Sequence, residues 1–149
     1  MMIINYPEPA FRIKKEGEKE LIFDPIRKKW IQLTPEEWVR QNFVQYLLQV
    51  LNYPAALIAL EKEIRLGELT KRFDILVYDT AHQPWMMIEC KATSVKLDEK
   101  VVEQVLRYNM SVPVNYLIVT NGNANFGWVR LPGQLDLINK MPEHGEVGK

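Results

Sequence analysis

Residues 72–92 read RFDILVYDTAHQPWMMIECKA, and this stretch decides the fold. Two apolar segments flank a short polar turn, a pattern that predicts two adjacent β-strands. Asp74, Glu89 and Lys91 interrupt the segments where apolar side chains are expected. Because side chains alternate between the faces of a strand, Glu89 and Lys91 should share one face, with Cys90 on the other. Buried ionised groups are paired or bind metal, so the sequence leaves open a cross-strand ion pair or a metal site.

This arrangement resembles the PD-(D/E)xK nuclease superfamily, in which an aspartate on one strand precedes a Glu-x-Lys on the next. Asp74 would be that aspartate, and Glu89, Cys90 and Lys91 would be the Glu-x-Lys, whereas Phe73 replaces the usual proline. The resemblance implies an α/β, restriction endonuclease-like fold with a central mixed β-sheet flanked by helices. It also implies Mg2+, with Mn2+ as a substitute, held by Asp74, Glu89 and the carbonyl oxygen of Cys90. Lys91 would orient the attacking water and stabilise charge on the phosphate.

Two predicted helices extend the resemblance. The first begins at TPEEWVRQ, residues 34–41, and ends at Asn52-Tyr53-Pro54; the second carries Gln104 and Tyr108 as a Gln-x-x-x-Tyr pattern. Together with the strands they resemble the N-terminal nuclease domain of type I restriction enzyme R subunits over residues 20–131. That family implies Mg2+-dependent cleavage of DNA in a restriction or DNA-processing system.

The first helix leaves two roles open for Glu37. Thr34 is a good N-cap, Pro35 suits the first helical position, and Glu37 stands where a capping box needs a carboxylate. The resembling family also places an acidic residue of this helix near the metal. For that role we favour Glu37 over Glu36.

Gln104 and Tyr108 are predicted to support the site. They lie at i and i+4, so they share one helix face with Val101. Tyr108 could be ordinary core, but a buried amide needs hydrogen-bond partners, so we expect Gln104 within one or two side-chain shells of Lys91. Either residue could brace the site or contact the DNA strand.

The rest of the chain predicts further elements of an α/β domain. An antiparallel meander should comprise strands 58–66, 72–78 and 85–92, and a right-handed helical crossover should make strand 116–120 parallel to the last of these. A helix capped by Ser94 or Asp98 should reach Met110. The remaining predicted strands are 11–13 paired with 21–23, and 126–131 paired back onto 116–120.

Length and composition predict one domain over residues 1–149, with 1–10 an extended arm and 141–149 a frayed tail. A hydrophobic fraction of 47% argues against disorder, and no apolar run is long enough for a membrane span. The start lacks the pattern of a signal peptide. The single cysteine, Cys90, excludes an internal disulfide and a cysteine-based zinc site, and it fits a cytoplasmic protein.

The net charge of zero favours a second interpretation. DNA-binding proteins usually carry a basic surplus, so the chain could be an inactive or weakly active module of the same fold that docks onto nucleic acid or a helicase or translocase partner. A local basic patch could arise after the motif from Lys91, Lys96, Lys100 and Arg107. A third interpretation is a homo-oligomeric structural protein, supported by exposed aromatic residues such as Trp85.

Overall fold

The computed structural model describes residues 1–148, which form two β-sheets and two α-helices. The smaller sheet has the antiparallel order β1-β2-β3, and the larger sheet has the order β4-β5-β6-β7-β8-β9. In chain order the elements are β1 (Ile13–Glu16), β2 (Lys19–Asp24), β3 (Lys29–Gln32), α1 (Pro35–Gln49), β4 (Ile58–Leu66), β5 (Leu69–Tyr78), β6 (Pro84–Cys90), α2 (Glu99–Asn109), β7 (Tyr116–Thr120), β8 (Asn125–Leu131) and β9 (Gln134–Ile138). The predicted α/β class is confirmed.

The larger sheet is mixed because β6 and β7 run parallel while its other neighbours are antiparallel. Strands β4 to β6 form the predicted meander, and α2 provides the crossover from β6 to β7. Strand β9, which the sequence reasoning missed, pairs with β8 through a turn in which Gly133 has a φ of 74°. Strand β6 ends at Cys90, so Lys91 lies just beyond it and donates its backbone N–H to Thr120.

The two helices belong to different apolar clusters of the larger sheet. Helix α1 contributes Phe43 and Leu47 to a cluster that also holds Ile88, whereas α2 contributes Val105 to the cluster around Leu117. The N-terminus of α1 forms as predicted, because the Thr34 hydroxyl accepts the backbone N–H of Glu37 at 3.0 Å. The apolar side chains of Val39, Phe43, Tyr46 and Leu47 are buried, whereas Val50, just after the helix, is exposed. The sheet therefore lies between two apolar layers.

In β4 and β5 the alternation of side chains between the two faces of the sheet is interrupted at the level of Asp74. Ile75 packs in the α1 cluster and Phe73 in the α2 cluster, although strict alternation would put both side chains on one face. The register on either side places Glu61 of β4 opposite Asp74, and Glu61 has a left-handed φ of 51°. This irregularity brings two acidic side chains together in the middle of paired strands.

Both ends of the described chain lie against the larger sheet. Met2 is buried and exchanges a backbone bridge with Asn125, while residues 3–10 form no helix or strand. In the segment predicted to fray, the Pro142 carbonyl accepts the Tyr53 hydroxyl at 2.6 Å and the Glu146 carbonyl accepts the Trp85 indole N–H at 2.8 Å. These bonds hold residues 142–146 on the sheet; Lys149 lies outside the described residues.

Trp85 is 1% exposed, so it cannot supply the exposed aromatic surface that supported a structural oligomer. Its ring packs edge-on against Tyr53 and Tyr116. The sequence misled because an isolated tryptophan at the start of a strand does not show which face it will occupy. Within residues 1–148, no helix has the length and apolar character needed to cross a membrane.

Candidate functional site

The Asp74 carboxylate joins β5 to β6 and to α1. Its Oδ2 accepts the backbone N–H of Cys90 at 2.8 Å, and its Oδ1 accepts Arg40 Nη2 at 2.9 Å. The main-chain pairing of β5 with β6 covers Ile75 opposite Ile88 but does not extend to Asp74, so the side chain takes the bond that a backbone carbonyl would otherwise make. Asp74 is thereby fixed at the edge of the α1 layer.

Arg40 is the central cation of this region. Its guanidinium contacts four carboxylates, those of Glu36, Glu37, Glu61 and Asp74. Burial alone would lower the pKa of Arg40, but the neighbouring carboxylates, Glu37 foremost, raise it, so the side chain stays charged. Its Nε is buried and has no hydrogen-bond partner within residues 1–148. One cation thus faces several anions in a partly enclosed space.

Three carboxylates converge within this network. One oxygen from each of Glu36, Glu61 and Asp74 lies within 4.8 Å of the others, and we call these residues the carboxylate group. Glu36 is largely exposed, yet its pKa is raised, first by desolvation and then by the charge of Asp74. Converging oxygen donors of this kind suit a hard divalent cation.

Glu37 does not join the carboxylate group, although we favoured it over Glu36 for a position near the metal. Its buried carboxylate accepts Arg27 Nη2 at 2.9 Å, Arg40 Nη1 at 2.5 Å and the Gln41 side-chain amide at 3.0 Å. These bonds tie α1 to the turn before β3. The structure therefore brings Glu36, not Glu37, to Asp74, because the first turn of the helix directs its two adjacent glutamates to different neighbours.

Glu89 and Lys91 form the second half of the site. The Lys91 Nζ lies 3.4 Å from Glu89 Oε1, so the two share one side as the alternation predicted, while Cys90 is buried opposite them. Desolvation raises the pKa of Glu89, the charge of Asp74 raises it further, and Lys91 opposes both effects. Glu89 is outside the carboxylate group but is electrostatically coupled to it through Asp74.

Glu89 and Lys91 open into a pocket of about 250 Å³ against α2, which we call the α2 pocket. Gln104 and Tyr108 line it, so the structure brings both predicted supporting residues to the Glu-x-Lys. Gln104 is exposed, and the argument from a buried amide was therefore wrong for it. Tyr108 is 68% exposed, which excludes the core role considered for this ring.

Lys71 fixes the end of α2 beside this pocket. Its ammonium group is buried, donates to the Tyr108 carbonyl and to Asn109 Oδ1 at 3.2 Å, and lies 3.8 Å from the Tyr108 ring centre. Burial lowers the pKa of Lys71, and the charge of Glu89 opposes that effect. A cation at a helix C-terminus also complements the helix dipole.

The sequence reasoning missed four residues of this region: Glu36 as the neighbour of Asp74, Arg40, Glu61 and Lys71. Arg40 carried a usable signal, because it stands four and three residues after Glu36 and Glu37 on one helix. Glu61 and Lys71 carried none, since charged residues in neighbouring strand segments ordinarily indicate a solvated face.

A family model described as type I restriction enzyme R protein N terminus matches residues 35–142. The match includes the carboxylate group, Arg40 and every residue of the α2 pocket. Strands β1 to β3 precede the matched region. Among curated proteins, none is significantly similar in sequence.

Proposed function

The chain belongs to the type I restriction enzyme R protein N-terminus family, and on that premise we propose that it hydrolyses DNA phosphodiester bonds with Mg2+ as cofactor. The observation that carries the proposal is the convergence of Glu36, Glu61 and Asp74 within 4.8 Å, beside a pocket that holds Glu89 and Lys91. Acidic oxygens next to an accessible lysine supply what phosphoryl chemistry requires, a cation site and a positive group for the phosphate.

The donor set suits Mg2+ or Mn2+, because every candidate ligand is an oxygen. Asp74 and Glu89, with the carbonyl oxygen of Cys90, would hold the ion, and Glu36 and Glu61 would supply further carboxylate oxygens within 4.8 Å of an Asp74 oxygen. A bound ion would polarise the scissile phosphate and lower the pKa of a coordinated water.

Other residues near the metal would assist the reaction. Lys91, placed by its contact with Glu89, would orient the attacking water and stabilise charge on the phosphate. Gln104 and Tyr108 lie across the α2 pocket from it and would contact the DNA strand or brace the lysine. The backbone N–H of Cys90 donates to Asp74, and this bond holds the Asp74 carboxylate between the Arg40 ion network and the α2 pocket.

The test combines metal binding with cleavage. Calorimetric titration with Mn2+ should show binding that Asp74→Ala removes. Lys91→Ala should retain Mn2+ binding but cleave DNA at least about a hundredfold more slowly, the usual effect of losing one charge-stabilising group. Lys140→Ala is the matched control, because this exposed lysine lies outside the α2 pocket and should leave cleavage unchanged.

The second candidate is a nucleic-acid-binding or partner-docking module without cleavage activity. One observation favours it: Arg40 already pairs with all three members of the carboxylate group, Glu36, Glu61 and Asp74. In that case the wild-type protein would bind DNA or a helicase or translocase partner, yet show no metal-dependent cleavage of single- or double-stranded DNA. Unchanged Mn2+ binding in Asp74→Ala would likewise remove the assignment of Asp74 to a metal site.

A further inference from the structure

The small sheet concentrates positive charge in a neutral chain. Residues 12–32 contain seven basic and four acidic side chains, a net charge of +3, so the remainder of the chain carries −3. The basic residues are Arg12, Lys14, Lys15, Lys19, Arg27, Lys28 and Lys29. A neutral total therefore conceals a separation of charge between this sheet and the rest of the molecule.

One face of the sheet holds cations on aromatic rings. The Arg12 guanidinium lies 4.7 Å from the Phe23 ring centre and 5.3 Å from that of Trp30, and Lys14 Nζ lies 4.3 Å from the Trp30 ring. Phe23 and Trp30 are paired across β2 and β3 and meet edge-on. We call these four residues the aromatic–cation face. The rings fix the positions of two exposed cations, which reduces the entropy that they would lose on binding an anion.

Charge also separates along the strands. At the β1–β2 end of the sheet, Glu16, Glu18 and Glu20 balance Lys14, Lys15 and Lys19. The excess positive charge therefore lies at the other end, where the β2–β3 turn carries Arg27 and Lys28. At that turn the buried Asp24 is already neutralised by Arg27. Arg12 lies at the same end, because its carbonyl accepts the Phe23 N–H.

The basic end lies next to the candidate site. Arg27 donates to Glu37 at 2.9 Å, and Glu37 shares Arg40 with the carboxylate group. This chain of contacts places the β2–β3 turn at the N-terminus of α1, where Glu36 projects toward Asp74. A polyanion held by the basic end would therefore run past the acidic site, which by itself repels phosphate.

Lys28 occupies a conformation that disfavours its side chain. Its φ is 55°, in the left-handed region where glycine or asparagine is usual, and it is exposed. Within residues 1–148, no carboxylate lies within ion-pair distance of it. The turn thus presents a cation to solvent at some expense of backbone stability.

We propose that the aromatic–cation face and Lys28 bind the phosphate backbone of DNA and deliver it to the neighbouring carboxylate group. The choice of DNA rests on the proposed function, but binding at this surface requires neither metal nor cleavage. The physical drive is neutralisation of phosphates with release of their counterions, which needs positioned cations rather than a basic protein overall. This sheet lies outside the region that the family model matches.

The test compares two triple variants that remove the same charge. The first is Arg12→Gln with Lys14→Gln and Lys28→Gln; the control is Lys62→Gln with Arg65→Gln and Lys140→Gln, three exposed basic residues outside the small sheet. Binding of a short fluorescent DNA duplex is followed by anisotropy in EDTA at several salt concentrations. The sheet variant should raise Kd at least about tenfold and lower the slope of log Kd against log salt by about 2–3, whereas the control changes little.

Equal loss of affinity in both variants, or no binding by wild-type protein at low salt, would overturn the proposal. Because EDTA removes divalent metal, the result is independent of cleavage: loss of binding in the sheet variant alone supports the surface even if the wild type cleaves nothing.

A single substitution separates binding from folding. Lys28→Gly removes a charge but relieves the left-handed backbone, so it should raise the thermal midpoint while weakening DNA binding. An unchanged Kd for Lys28→Gly would exclude this lysine from the contact. Circular dichroism of both triple variants should match that of the wild type, since the substituted side chains are exposed.

Discussion

The two halves of the candidate site differ in how their charges are balanced. Around Asp74, Arg40 is almost fully buried and binds several carboxylates at once. Around Glu89, the counter-charge is the single partly exposed Lys91, and the space beside it is an open pocket. The first half is a folded ion network and the second is accessible to a substrate. Asp74 belongs to the ion network, and its charge raises the pKa of Glu89 beside the pocket. We therefore expect substitution of Arg40 to lower stability, and substitutions in the α2 pocket to weaken DNA binding or cleavage.

Arg40→Met is expected to have the largest effect on stability. Removing one partner of a buried ion network leaves uncompensated carboxylates, so the free energy of unfolding should fall by about 3–5 kcal/mol in metal-free buffer. Urea denaturation followed by tryptophan fluorescence measures it. Arg72→Met is the control, because Arg72 also pairs with Glu61 but is 64% exposed, and it should lower the free energy of unfolding by about 0–1 kcal/mol.

Adding Mn2+ to the Arg40→Met protein tests whether the metal and the guanidinium share a ligand. If a divalent cation uses the Asp74 oxygen that Arg40 now occupies, saturating Mn2+ should raise the thermal midpoint of Arg40→Met more than that of the wild type. Equal shifts in the two proteins would mean that the cation and the guanidinium do not share Asp74.

Lys71→Met tests whether the α2 pocket depends on a buried charge of its own. The substitution leaves the Tyr108 carbonyl and Asn109 Oδ1 without this donor, so the free energy of unfolding should fall by about 1–3 kcal/mol. Lys62→Met, on the exposed side of β4, should change it by less than about 0.5 kcal/mol. A loss no larger than the control's would show that Lys71 does not hold the end of α2.

The smallest expected effects on stability are at the rim of the α2 pocket. Gln104 is exposed, so Gln104→Leu should change the free energy of unfolding by less than about 0.5 kcal/mol while weakening DNA binding or cleavage. Tyr108→Ala should lower it by about 0.5–1 kcal/mol, through loss of the contact with Lys71. Thermal melts and the anisotropy assay measure both variants; a Gln104→Leu protein with wild-type DNA binding and cleavage would remove this residue from the site.

Several features followed from the sequence because local rules govern them. Thr34 caps α1 through a bond that spans three residues, and the apolar segments 72–78 and 85–92 contain most of β5 and β6. The order of strand, crossover helix and strand fixed β7 as the parallel neighbour of β6. Alternation placed Glu89 and Lys91 together, since a period of two is a property of the backbone.

The tertiary structure alone decided which charges meet. The partners of Arg40 come from α1, β4 and β5, and no sequence period links residues 36, 61 and 74. Alternation fails at Asp74 because β4 and β5 change faces there, with Glu61 in a left-handed conformation. Lys71 looks like a solvated strand residue until the end of α2 covers it. Local sequence specifies backbone period and capping, whereas burial and ion pairing depend on which distant segments pack together, and for that reason Glu36 rather than Glu37 lies beside Asp74.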